Sequence, residues 1–148
     1  TQAKTLFPYT TLFRSPKVLA GFNQMLAGDF MQTIERFLAI QAMGSEHARN
    51  DIRQLRHWLA ERPAPRLAAL EAGLGLLAEV DLRDELIGLD LPWLRLYGRL
   101  DTLVPKAAIP LLDARYPASH SLVLEKASHA PFISHPEQFI TLLRQFID

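Results

Sequence analysis

Two short apolar runs, each ending in a turn that carries a group suited to proton transfer, constrain this chain more than anything else in it. The first is Leu94-Arg95-Leu96-Tyr97-Gly98, followed by Arg99-Leu100-Asp101-Thr102-Leu103-Val104-Pro105. The second is Ser121-Leu122-Val123-Leu124-Glu125, followed two residues on by Ala127-Ser128-His129-Ala130-Pro131-Phe132. Both runs read as buried strands, the first over Trp93 to Tyr97, and the stretch between them, Pro105 to Tyr116, reads as a helix. A strand, a covering helix and a second strand imply a parallel pair, because only a crossover returns the chain to the same end of a sheet. Asp101 and His129 are then expected together at the carboxyl edge, where open α/β sheets keep their chemistry. An Asp after a strand is often no more than a turn former. The histidine in register with it is what turns the reading toward catalysis.

An acid followed by a histidine is the second half of the serine, acid, histidine order of α/β-hydrolases, whose nucleophile sits in a Gly-x-Ser-x-Gly turn. No serine here has that setting. Ser45 follows Gly44 but precedes Glu46, and Ser119, Ser121, Ser128 and Ser134 lack the paired glycines. A glycine-rich oxyanion loop is missing too. The expected fold class is therefore α/β, an α/β-hydrolase fragment with a helical cap followed by the last two strand-helix units of a parallel sheet, its nucleophile half absent.

Composition narrows the partners. With 49% hydrophobic residues in 148, the chain can build one real core. Sixteen basic side chains balance sixteen acidic ones, so no global field points to nucleic acid or a membrane surface. There is no cysteine, which excludes disulfides, thiolate chemistry and cysteine-ligated zinc, and fits a reducing compartment. No apolar run approaches the roughly twenty residues of a membrane span. A cytoplasmic location is expected.

The opening residues stand apart. Thr5 to Ser15, Thr-Leu-Phe-Pro-Tyr-Thr-Thr-Leu-Phe-Arg-Ser, has neither helical nor strand period. The string resembles the conceptual translation of a sequencing-library adapter, so residues 1–15 are expected to be non-native and are set aside from the fold. From Lys17 to about Met43, Val18, Phe22, Met25, Leu26, Phe30, Ile34, Phe37 and Leu38 recur at helical spacing and predict two helices. Asp29 with Gln32 reads as a capping box and Gly44 as a terminator. A third helix is expected from about Ser45 to Ala60, buried along Ile52, Leu55 and Leu59, with Pro63 and Pro65 beyond it. Arg66 to Val80 continues in helix despite Gly73 and Gly75, and a last helix is expected over His135 to Ile147. The expected division is a cap over residues 16–80 and the carboxyl-terminal part of a hydrolase core over residues 81–148.

Several segments carry a closer likeness: Val18-Leu19-Ala20-Gly21-Phe22, Glu35-Arg36-Phe37-Leu38-Ala39, Gln41-Ala42-Met43-Gly44, Leu94-Arg95-Leu96-Tyr97-Gly98, and His129-Ala130-Pro131-Phe132-Ile133-Ser134-His135-Pro136. From Pro16 onward the chain resembles the pimeloyl-acyl-carrier-protein methyl ester esterases of biotin synthesis, and the cap segments make that likeness specific. The resemblance implies a serine carboxylesterase, monomeric when whole, that needs no metal or cofactor. Its serine attacks the methyl ester of a pimeloyl chain carried on acyl carrier protein, with Asp101 and His129 as the catalytic pair. It also implies that Phe37, Leu38, Ala39, Ile40 and Gln41 line the acyl channel, and that Arg36, Arg49 and Arg53 grip the acidic carrier. Gln32 departs from the pattern, standing where such enzymes have a further arginine.

Geometry alone says less. Arg49, Arg53 and Arg56, at i, i+4 and i+7, share one helical ridge that could equally be a solvated face, and Phe37 could be plain core. His47, His57 and His120 have no motif around them, and His135 precedes Pro136 at a helix start. Asp101 and His129 would serve a general short-chain carboxylesterase, a C–C bond hydrolase or an epoxide hydrolase equally well. A non-catalytic helical module using the arginine ridge is the reading furthest from these, and it leaves the paired Asp and His unexplained.

Overall fold

The computed structural model describes residues 16–148, with side chains from residue 20 onward; the expectation for residues 1–15 lies outside them. Four helices come first: α1 (Pro16–Gly28), α2 (Phe30–Ala42), α3 (Ala48–Ala60) and α4 (Leu67–Glu79). A 3-10 turn (Glu85–Gly88) leads into β1 (Leu94–Gly98). A second 3-10 turn (Lys106–Ala108), α5 (Ile109–Arg115), β2 (His120–Leu124), α6 (Pro131–Ser134) and α7 (Pro136–Ile147) complete the chain. The strands pair in parallel, Leu94 opposite His120 and Gly98 opposite Leu124. The α/β reading therefore stands, with each strand one residue displaced from its expected bounds.

Local chemistry explains most boundaries. Asp29 caps α2 by accepting the backbone N–H of Gln32 at 2.9 Å. The capping box is only half built, since the Asp29 N–H donates to Met25 O at 2.9 Å, in the last turn of α1. Gly44 ends the α2 turn with φ of 84°, a backbone region that glycine enters without penalty. The third helix starts at Ala48 rather than Ser45, because residues 43–47 are spent on the corner. Its expected buried stripe is also corrected: Ile52 and Leu55 are half-buried and Leu59 is exposed. Gly73 and Gly75 do not interrupt α4. The expected last helix is α7, which starts at Pro136 with His135 as its cap, and the short α6 ahead of it was not expected.

Helix α2 packs between α1 and α3, α1 also meets α4, and α3 touches α6. Phe22 of α1 meets Phe37 of α2 edge to face, ring centroids 5.6 Å apart. On the sheet, Arg95 is the rivet between β1 and α5. Its guanidinium donates to Asp113 Oδ1 at 2.6 Å, Ser119 Oγ at 2.9 Å and Tyr97 Oη at 3.0 Å, and lies 5.8 Å from the ring centres of both Trp93 and Tyr97. Among the described residues, no helix is long and apolar enough to cross a membrane.

Candidate active site

The end of β1 and the end of β2 are joined by backbone. Arg99 N–H donates to Leu124 O and Leu100 N–H to Ala127 O, each at 3.0 Å. This closeness needs Gly98: a Cβ there would sit 2.0 Å from Ser128 O and 2.6 Å from Ala127 O. The same turn aims Asp101. Its carboxylate is buried, with Oδ1 accepting the backbone N–H groups of Leu103 at 2.7 Å and Val104 at 3.0 Å. Oδ2 is left for His129, whose Nδ1 lies 3.0 Å away. Two amides and an imidazole satisfy the carboxylate on both oxygens, which locks its plane.

An acid on Nδ1 fixes the imidazole with its proton on that nitrogen and leaves Nε2 as the basic atom. The His129 side chain is 34% exposed and that of Asp101 6%, so the acid is shielded while the ring remains reachable. The ring also forms part of the wall of an open, largely apolar cavity of about 1080 Å³, shared with Phe22, Leu26 and Phe37 of α1 and α2, Leu74 and Leu77 of α4, and Leu103 and Val104 beside Asp101. The pair can therefore take up and return a proton at the wall of a greasy groove. Among the described residues, no group of three or more His, Asp or Glu side chains could hold a metal ion.

The other residues singled out from sequence are spread more widely. Phe37 lines the cavity. Leu38 is buried, Ala39 is exposed and Ile40 is half-buried, none of them among its lining residues. Gln41 instead borders a small crevice with Asp51, Ser128 and Ser134, and its backbone carbonyl accepts the His129 N–H at 3.2 Å. Arg36, Arg49 and Arg53 are exposed. Arg36 lies 3.6 Å from Met25 Sδ, and Arg53 donates to Asn50. Arg56, on the same ridge, pairs with Glu35 of α2 at 3.2 Å. His47, His57 and His120 are exposed, and the half-buried His135 has Nδ1 2.8 Å from Ser134 Oγ. Sequence reasoning passed over Ser128, buried next to His129 in the chain, and the spacing role of Gly98. A glycine closing a strand just before a functional turn was the available signal for the second.

A parallel strand pair with a crossover helix, an acid and a histidine at its carboxyl edge and a helical block ahead is the arrangement of part of an α/β-hydrolase fold. Solved structures agree on the fold. An esterase from Exiguobacterium antarcticum superposes with a TM-score of 0.72 at 19% identity, covering 89% of this chain and 48% of that one. A bromoperoxidase from Bacillus anthracis gives 0.75 at 18%, covering 89% and 49%. No protein-family model matches the chain. Curated relatives are closer in sequence. The pimeloyl-[acyl-carrier protein] methyl ester esterase of Aeromonas hydrophila is 84% identical over 133 residues, 90% of this chain and 52% of the relative. Those of Aeromonas salmonicida and Klebsiella pneumoniae strain 342 are 83% and 55% identical. By sequence, the chain is similar to pimeloyl-[acyl-carrier protein] methyl ester esterases, and it spans about half the length of the curated relatives it matches.

Proposed function

We propose that this chain supplies the acid, the base and the cap of a serine carboxylesterase that hydrolyses the methyl ester of pimeloyl-acyl carrier protein in the cytoplasm. The observation that carries the reading is the Asp101–His129 contact of 3.0 Å at the wall of an apolar cavity, in a chain 84% identical to an esterase of that name. The nucleophilic serine and the oxyanion donors belong to sequence outside these 148 residues, since no Gly-x-Ser-x-Gly turn occurs within them.

In this reading His129 Nε2 takes the serine proton as the hydroxyl attacks the ester carbonyl, then returns it to the departing methanol. Water attacks the acyl-enzyme by the same route in reverse, releasing the free carboxylate. Asp101 holds the ring in the productive tautomer and stabilises the imidazolium. Phe37, with Leu38 to Gln41 following it along α2, borders the path of the acyl chain. The exposed Arg36, Arg49 and Arg53 meet the acidic carrier, a role suited to guanidinium.

The test is a hybrid in which residues 16–148 are joined to the part of the Aeromonas hydrophila relative outside its match. It is expected to hydrolyse both the carrier-bound methyl ester and p-nitrophenyl butyrate, whereas the 148-residue chain alone hydrolyses neither. A folded hybrid without ester turnover would overturn the reading. Removing the charges of the three arginines should weaken action on the carrier-bound ester, less so at high salt. Small-ester turnover should hardly change; equal losses on both would assign those residues to the fold.

A further inference from the structure

The loop that carries the base is held from the cap side as well as from the sheet. Gln41 O, at the end of α2, accepts the backbone N–H of His129 at 3.2 Å. Met43 O, the next carbonyl but one, accepts the hydroxyl of Ser128 at 2.9 Å, a bond between residues 85 apart in sequence. Ser128 is 2% exposed, and its Oγ lies 3.4 Å from Leu100 O. One hydroxyl proton serves one carbonyl at a time, and the shorter contact is the one to the corner. Further out, Lys126 Nζ meets Glu46 at 3.2 Å, and the His47 and His135 rings lie 5.5 Å apart. The corner itself turns through Gly44 at φ of 84°, where a Cβ would lie 3.4 Å from Leu100 Cβ, next to Asp101.

We infer that the corner between α2 and α3 sets the position of the catalytic base, with Gly44 and Ser128 as positioning residues that act on His129 through the Gln41 and Met43 carbonyls. Gly44 gives the corner the left-handed turn that presents both carbonyls to the histidine loop. Ser128 ties that loop to the corner one residue before the base. Neither touches the reacting atoms. Because Arg36, Phe37 and Gln41 share α2, a rotation of this helix displaces the carbonyl that holds His129 N–H, so cap geometry and base placement are linked. The kinetic consequence rests on the esterase reading; the tautomer consequence does not.

The test is made in the full-length hybrid, with Gly44→Ala and Ser128→Ala. A base displaced by about an ångström costs on the order of a hundredfold in rate. Gly44→Ala should therefore lower kcat for p-nitrophenyl butyrate roughly ten- to a hundredfold while KM stays within about twofold. Ser128→Ala should give a smaller loss in kcat of the same kind. In ring-nitrogen NMR, His129 of the parent should be almost wholly protonated on Nδ1, and both variants should show a mixture of tautomers as the contact with Asp101 loosens. An unchanged His129 ring signal in folded variants overturns the inference, whatever happens to the rates. If Gly44→Ala does not fold, Ser128→Ala decides by the same readouts. A parent hybrid without turnover would defeat the esterase reading alone, and the tautomer measurement would still decide this one.

Discussion

A methyl group added at Gly98 would lie 2.0 Å from one backbone carbonyl oxygen and 2.6 Å from another. Backbone atoms cannot swing aside as a side-chain tip can, so relief requires the histidine loop to move away from the strand end. Gly98→Ala is expected to cost about 3 kcal/mol or more in stability, at or beyond the upper end of ordinary overpacking penalties. In the hybrid it should also abolish most turnover. Urea unfolding and ester assay of the same preparation check both, and a fully active, equally stable variant would show that the loop does not need this approach. Under the proposed esterase reading, Asp101→Asn and His129→Ala act at the chemistry itself. In the hybrid each should leave folding intact and cut kcat steeply, with Asp101→Asn approaching the roughly ten-thousandfold loss that a mis-set tautomer costs in a serine protease. If His135→Ala were the damaging change and His129→Ala silent, the base would have been misassigned. Asp101 and His129 were legible in sequence because each sits at the end of its own short strand, a local pattern. Ser128, Gly44 and the Gln41 carbonyl were not, since their meeting joins segments some 85 residues apart and no local period encodes it.

Among the elements, α3 carries the sharpest electrostatic conflict. Asp51, in its first turn, is buried, and its Oδ2 accepts the Ser45 hydroxyl at 3.2 Å. A helix N-terminus favours a carboxylate, yet burial raises the acid above its ordinary range despite opposing contributions from Ser45, His47 and His135. A carboxyl whose pKa is raised by folding binds more protons in the native state, so stability falls as pH rises from about 4, the unfolded value, through the folded one. Asp51→Asn keeps an acceptor for Ser45 without the charge. It should raise the melting temperature at pH 7.5, with the advantage shrinking as the pH is lowered toward 4. An advantage constant with pH would point to packing instead of ionisation. The same helix shows where apolar period misleads. Ile52, Leu55 and Leu59 follow helical spacing, yet Leu59 is 48% exposed, because period records which face is greasy and not whether anything covers it. Element type was legible nearly throughout, from strand runs, prolines and glycines. A boundary slipped where backbone groups were claimed by a corner, at residues 43–47.

Over the whole molecule, burial and exposure are out of proportion. Among the described residues, the buried apolar set is small and includes three alanines, while Leu76, Leu77, Leu82, Ile87 and Leu91 are each more than half exposed. No residue of α4 is buried, although the helix is made almost entirely of Leu, Ala and Gly. Its apolar face turns with α1, α2 and the 3-10 turn before β1 onto the open cavity of about 1080 Å³. The described sheet has only two strands, so each strand has one edge without a strand partner. Contiguous apolar surface on this scale is uncommon on monomeric proteins and drives association, and unpaired strand edges offer a template for it. Curated relatives of about twice the length have further chain with which to cover such a face. The 148-residue chain is therefore expected to self-associate at micromolar concentration and to melt with low cooperativity, whereas the hybrid should sediment as a monomer with a sharp transition. Sedimentation velocity across a hundredfold range of concentration, paired with thermal melts, separates the cases. A monodisperse monomer melting in one steep step would mean that the face is stable in water by itself, and the stand-alone helical module would then become the better account of this chain.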